Sequence, residues 1–180
     1  YLELLRDHRP VGQRVAVVGA GGIGFDVAEY LLEAGHSLTL RPEAWRRHWG
    51  VADPAEALGG LARPAPEPAA RQVTLLQRKA GKPGSTLGKT TGWIHRSMLK
   101  MMGVEMLGGI HYERITPEGL WVSHGPQRED LELIPADTIV LCAGQEPLRE
   151  LEAPLRAAGA SVHLIGGALE AGELDAKRAI

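Results

Sequence analysis

The sequence predicts an α/β fold: a Rossmann-like three-layer arrangement around a parallel sheet, extended by an antiparallel β-meander and a further segment. Three observations carry this. Val15-Ala16-Val17-Val18 is a short β-branched apolar run that passes through glycines into a helical pattern. Two similar runs, Val73–Gln77 and Thr138–Cys142, recur much later, as the separated strands of one parallel sheet do. Between them, Ile110–Ile115, Leu120–His124 and Leu131–Ile134 are short strands joined by turns, with Pro117-Glu118-Gly119 marking the first.

In chain order, Tyr1–Asp7 reads as the tail of a helix. The chain starts without methionine and stops inside a helical pattern, so a piece of a longer protein is expected. After the first strand and its glycines, apolar positions 27, 28, 31 and 32 form one helical face, and Gly35 suits the helix end. Residues 50–70 hold four prolines and a Gly59-Gly60 pair, which predicts a loop or insertion with a short helix near Ala55–Leu58. A glycine-rich basic loop spans Arg78–Thr91 and precedes a helix at about Trp93–Met102, then a strand at Val104–Leu107. Beyond Cys142, Leu148–Ala158 is helical and ends at Gly159, and Ser161–Ile165 is a strand candidate running into Gly166-Gly167. The expected organisation is three-part. Residues 1–12 are the tail of a preceding segment, 13–143 a dinucleotide-binding domain with a loop-rich insertion at 36–70, and 144–180 part of a second domain.

Composition excludes several classes. Apolar residues make up 44% and charged residues 23%, enough to build a core. A net charge of -2 and 4% aromatics give no support to nucleic-acid binding or base stacking. One cysteine, Cys142, rules out an internal disulfide or a thiolate metal centre made by this chain alone, and none of the seven histidines has metal-motif spacing. No signal peptide or membrane-spanning run is evident, so no membrane partner and a cytoplasmic setting are expected. Charge is nevertheless blocked: residues 71–100 carry seven basic and no acidic side chains, which points to an anion.

Gly19-Ala20-Gly21-Gly22-Ile23-Gly24 fits G-x-G-x-x-G, here between a strand and a helix. In such a turn the first glycine permits the bend, the second leaves room for a pyrophosphate, and the third lets helix and strand approach. Which dinucleotide binds depends on the end of the second strand, where a carboxylate suits NAD and a cation suits NADP. Two segments compete for that strand. Ser37–Leu40 ends at Arg41, and Val73–Gln77 ends at Arg78-Lys79. Both favour NADP(H), through a guanidinium fork and, in the second case, an added ammonium charge. Gly84-Ser85-Thr86-Leu87-Gly88-Lys89-Thr90 misses the P-loop spacing by one residue. Lys82, Lys89, His95 and Arg96 read as electrostatic support for a phosphate or as plain surface. Cys142 reads as a core residue, and Cys142–Pro147 and Leu164–Ala168 read as strand ends able to cross between domains or carry a second cofactor.

Four stretches carry a resemblance. Gly19–Leu31 (GAGGIGFDVAEYL), Leu76–Arg96 (LQRKAGKPGSTLGKTTGWIHR), Cys142–Pro147 (CAGQEP) and His163–Ile180 (HLIGGALEAGELDAKRAI) together resemble the bacterial NADPH-dependent 2,4-dienoyl-CoA reductases. The resemblance implies a multidomain flavoprotein oxidoreductase of unsaturated fatty-acid β-oxidation. In it a barrel carrying FMN, a 4Fe-4S cluster and the substrate site precedes a part that binds FAD and NADPH. It implies that this chain holds the NADPH domain and part of the FAD domain, its partners being NADPH, FAD and the flavin and iron–sulfur domains of the same polypeptide. By motif, Gly19, Gly21, Gly22 and Gly24 would hold the NADPH pyrophosphate, and Arg78 and Lys79 the 2′-phosphate. Gly144 and Gln145 would lie at the nicotinamide–flavin crossover, and Gly166, Gly167 and Asp175 on the FAD side. Gly167 stands where flavoproteins of this kind carry an acidic residue. Relatives such as old-yellow-enzyme-like oxidoreductases and trimethylamine dehydrogenase share this half, and a non-catalytic NADP-sensing module is the alternative from another class.

Overall fold

The computed structural model describes residues 1–33, 35 and 37–172. The chain divides into two compact units, Tyr1–Cys142 and Ala143–Ile180. The first opens with a one-turn helix, α1 (Leu2–Leu5), followed by β1 (Arg14–Val18) and α2 (Gly22–Leu32). Next come α3 (Pro42–Trp49), β2 (Gln72–Gln77), α4 (Gly92–Met101) and β3 (Glu105–Gly108). The meander is β4 (His111–Thr116), β5 (Gly119–His124) and β6 (Asp130–Pro135), after which β7 (Thr138–Leu141) returns to the first sheet.

The parallel sheet has the order β3-β2-β1-β7, and the meander is a separate sheet in the order β4-β5-β6. Strand β1 is central, with Val17 opposite Leu75 on one side and Val140 on the other. Its side chains alternate between two cores. Val15 and Val17 pack with Val73, Leu75, Phe25, Ala28, Leu31 and Leu99 on the helical side. Ala16 and Val18 pack with Leu76, Ile110, Leu120, Val122 and Ile134 on the meander side. Cover on both faces is why β1 and β2 are apolar at successive positions rather than at alternate ones. Phe25 and Leu31 are each 1% exposed, and burying a side chain of this size stabilises by roughly 1.5–3 kcal/mol. At the other end of β1, Asp137 accepts hydrogen bonds from the Arg14 backbone and guanidinium, fastening β7 to β1.

Three local expectations are corrected. Ser37–Leu40 is no strand; Leu38–Leu40 is a 3-10 turn. Both edges of β1 are already taken, by β2 and β7, so this segment is not the neighbour of β1. Residues 36–70 are less loop-like than composition suggests, since they contain α3, with Pro42 in its first turn and Gly50 ending it in the left-handed region at φ 69°. The short helix expected near Ala55–Leu58 is replaced by a turn, in which the Asp53 carboxylate accepts the Ala55 N–H, and a 3-10 turn at Leu58–Gly60. That loop closes on itself: Ala52 N–H bonds the Gly60 carbonyl and Ala62 N–H the Gly50 carbonyl, around a Val51–Leu61 bridge.

In the second unit, α5 (Glu152–Ala157) and the one-turn α6 (Gly166–Leu169) are its described helices. Arg149 holds α6 by donating to the Ala168 and Leu169 carbonyls. Ser161–Ile165 is not a strand, because none of the described residues pairs with it, and an extended segment without a ladder leaves its backbone groups to water or to side chains. Arg156, for example, donates to the Val162 carbonyl. Among the described residues, no helix is long and apolar enough to cross a membrane.

Candidate functional site

The glycine turn sits at the carboxyl end of β1. Gly19 adopts φ 111°, a conformation that side chains disfavour. A Cβ on Gly24 would fall far inside van der Waals contact with the Gly19 carbonyl oxygen, and would touch Leu75. The third glycine therefore lets α2 lie against the strand end. Gly21, the N-cap, has open space where its Cβ would be. The first turn of α2 carries no acidic side chain, so the positive end of the eleven-residue helix is not neutralised from within. A cramped glycine below, an open one above and a bare helix N-terminus fit a dinucleotide pyrophosphate.

The structure brings the glycine turn and the basic segment together. Gly19 N–H donates to the Leu76 carbonyl at 2.8 Å, so the turn is bonded to β2 two residues before Arg78. The second strand is thus Gln72–Gln77, and it ends on Gln77-Arg78-Lys79 without a carboxylate. Arg78 and Lys79 are exposed, and among the described residues neither is in an ion pair. Burial raises the Tyr112 phenol above the ordinary tyrosine value, and the Arg78 charge partly opposes that shift.

The loop after Lys79 is packed as well as basic. A Cβ on Gly84 would overlap the Phe25 ring, and Arg96 donates to the Gly84 carbonyl at 2.7 Å. His95 Nδ1 lies 2.7 Å from Glu29 Oε1 and joins α4 to α2. Burial raises the Glu29 carboxyl above the usual range, with the His95 hydrogen bond opposing that shift. Of the four side chains assigned to phosphate support or surface, His95 and Arg96 thus have structural partners, whereas Lys82 and Lys89 are exposed. Sequence pattern does not single out Gln77, whose side-chain amide donates to the Lys79 carbonyl at 2.9 Å and the Gly81 carbonyl at 3.2 Å. A polar residue ending an apolar strand was its sole sequence signal.

Clefts of about 500 and 640 Å³ lie at the opposite, amino-terminal edge of the sheet, lined by residues such as Val11, Arg71 and Thr74, away from the turn. Cys142 is half-buried, and burial pushes its thiol up to about 11, so it is neutral and inert as a nucleophile near neutral pH. In the second unit, Gly144 and Gln145 are exposed and irregular, and Gly166 and Gly167 begin α6. Asp175 lies outside the described residues. Among the described residues no cluster of His, Cys, Asp and Glu side chains is arranged to hold a metal.

Comparison with known proteins agrees with this geometry. A family model described as pyridine nucleotide-disulphide oxidoreductase matches residues 2–168. A curated metal reductase from Desulforamulus reducens is 27% identical over 168 residues, a match covering 93% of this chain and 24% of that protein. Among solved structures, a 2-naphthoyl-CoA reductase complex superposes with a TM-score of 0.65 at 16% identity, over 96% of this chain and 20% of the other. The 6-hydroxypseudooxynicotine amine oxidase of Pseudomonas geniculata N1 gives 0.64 at 22% identity, over 95% and 21%. Histamine dehydrogenase from Rhizobium sp. 4-9 gives 0.63 at 15% identity, over 95% and 23%. At these identities the likeness is one of fold, and the chain spans about a quarter or less of each relative's length.

Proposed function

The chain belongs to the pyridine nucleotide-disulphide oxidoreductase family, and from that premise we propose that it is the NADPH-binding part of a 2,4-dienoyl-CoA reductase-like flavoprotein. When bound, NADPH would be the source of a hydride and FAD its acceptor. This chain's own contribution is to seat and orient the coenzyme. Gly19, Gly21, Gly22 and Gly24 hold the pyrophosphate at the start of α2, and Arg78 and Lys79 hold the 2′-phosphate. Gly144 and Gln145 lie at the nicotinamide–flavin crossover, and Gly166, Gly167 and Asp175 belong to the FAD side. FMN, the 4Fe-4S cluster and the dienoyl-CoA site lie in other domains of the same polypeptide. The protein works in the cytoplasm, in the oxidation of unsaturated fatty acids.

The observation that carries this reading is the hydrogen bond from Gly19 to Leu76, which sets two cations, in no ion pair among the described residues, just past the end of the strand beside the glycine turn. The test is the double variant Arg78→Ala/Lys79→Ala. Losing a charge-assisted pair costs roughly 1.5–3 kcal/mol, so NADPH affinity should fall at least tenfold while NADH affinity holds. Equal loss of both coenzymes in a fluorescence titration would sink the 2′-phosphate assignment.

A second reading has its own support. The 27% identity to a metal reductase favours the same NADPH module delivering electrons to another acceptor, as in the old-yellow-enzyme-like and trimethylamine-dehydrogenase-like relatives. Turnover of a dienoyl-CoA against a soluble ferric chelate by the intact protein separates the two readings. A non-catalytic sensor would turn over neither.

A further inference from the structure

We infer that Gln77 is a positioning residue for coenzyme choice: its side-chain amide fixes the backbone that presents Arg78 and Lys79, and so sets the preference for NADPH over NADH. This rests on the assignment of those two cations to the 2′-phosphate.

A glutamine amide carries two N–H donors on one nitrogen. Here that nitrogen reaches both the Lys79 carbonyl and the Gly81 carbonyl. The Lys79 carbonyl also accepts the Gly109 N–H at 3.0 Å, so it is held from two directions. Residue 77 is itself fixed, since its carbonyl accepts the Ile110 N–H and it pairs with Gly108 in the sheet. Gly108 completes the clamp, because a Cβ there would overlap the Gly81 carbonyl oxygen. The peptides from 77 to 81 are thereby tied back to the end of β3 at three points.

The consequence is preorganisation. A long cation on a loose loop must lose both backbone and side-chain freedom when it grips an anion, whereas one on a fixed backbone loses only the latter. The saving applies to the ligand that carries the extra phosphate. NADH lacks that phosphate and would depend on the glycine turn, which is bonded to β2 at Leu76, upstream of the clamp. Disordering residues 78–81 should therefore weaken NADPH selectively. Glutamate cannot replace Gln77, since a carboxylate would face two carbonyl oxygens with no hydrogen to give.

The test uses Gln77→Met, similar in length and without donors, in the intact protein. The NADPH dissociation constant should rise roughly tenfold, about one hydrogen bond's worth of ordering, with NADH changed less than twofold. In steady state the KM for NADPH should rise while kcat at saturation holds. Gly108→Ala displaces the Gly81 carbonyl by another route and should give the same selective loss. Arg78→Ala/Lys79→Ala is the control for the underlying reading. If that control leaves the coenzyme ratio unchanged, the phosphate assignment fails. If the control behaves but Gln77→Met and Gly108→Ala leave the ratio within twofold, or weaken both coenzymes alike, the role given to Gln77 is wrong.

Discussion

Two apolar runs in this chain end in glycine, and they have opposite fates. Val15–Val18 runs into Gly19 and becomes the central strand of a sheet, paired on both edges and covered on both faces. Val162–Ile165 runs into Gly166 and pairs with no described residue. The contrast extends to the units that hold them. The first contains two buried clusters, whereas none of the described residues of 143–172 is buried. Glycine-ended apolar runs are thus a statement of local preference. A ladder partner and a covering layer turn that preference into a strand.

The sharpest break of this comparison is a pair of leucine deletions. Leu31→Ala removes a side chain that is 1% exposed from α2 and should cost about 2–5 kcal/mol. Leu155→Ala removes one that is 44% exposed from α5 and should change stability by about 0.5 kcal/mol or less. Urea unfolding reads both, and similar costs would erase the distinction between the units. Next in size, Gly24→Ala forces apart the Gly19 carbonyl and α2, for about 1–3 kcal/mol of overpacking. Calorimetry should show it weakening NADPH and NADH alike, unlike changes at Arg78 or Gln77.

The smallest effect concerns the last residue of the first unit. The Cys142 thiol is pushed up to about 11 by burial, against about 8.5 for a free cysteine. A raised folded value means that the neutral thiol's contribution to stability is complete below the unfolded value and is lost as pH rises through the folded one. Alkylation of the native protein at pH 8 should be at least roughly tenfold slower than that of the urea-unfolded chain. Matching rates would place Cys142 in water.

Much of the first unit is legible in sequence. The strand, glycine turn and helix at 14–32, the strand at 72–77 and the meander all follow from patterns that local physics enforces: β-branched runs, a helical apolar face, and the turn at Pro117–Gly119. The polar helix α3 is less visible, because Arg46, Arg47 and Glu43 give it little apolar periodicity, although Pro42 and Gly50 mark its ends. Which of two candidate segments would be the second strand was decided by pairing geometry, a nonlocal property. The clamp at Gln77 is invisible for a related reason. Its partners lie two and four residues ahead on a loop whose path is set by β3 and Gly109.

The loop from Gly50 to Ala62 enters and leaves through one narrow neck, closed by its own backbone bonds. Its ends stay together whatever lies between them, and lengthening such an excursion adds only a slowly growing entropic term. Insertions and deletions in homologues should therefore gather there, and the tip near Leu58 (98% exposed) is the natural place to splice in a fluorophore or an affinity handle without disturbing the sheet.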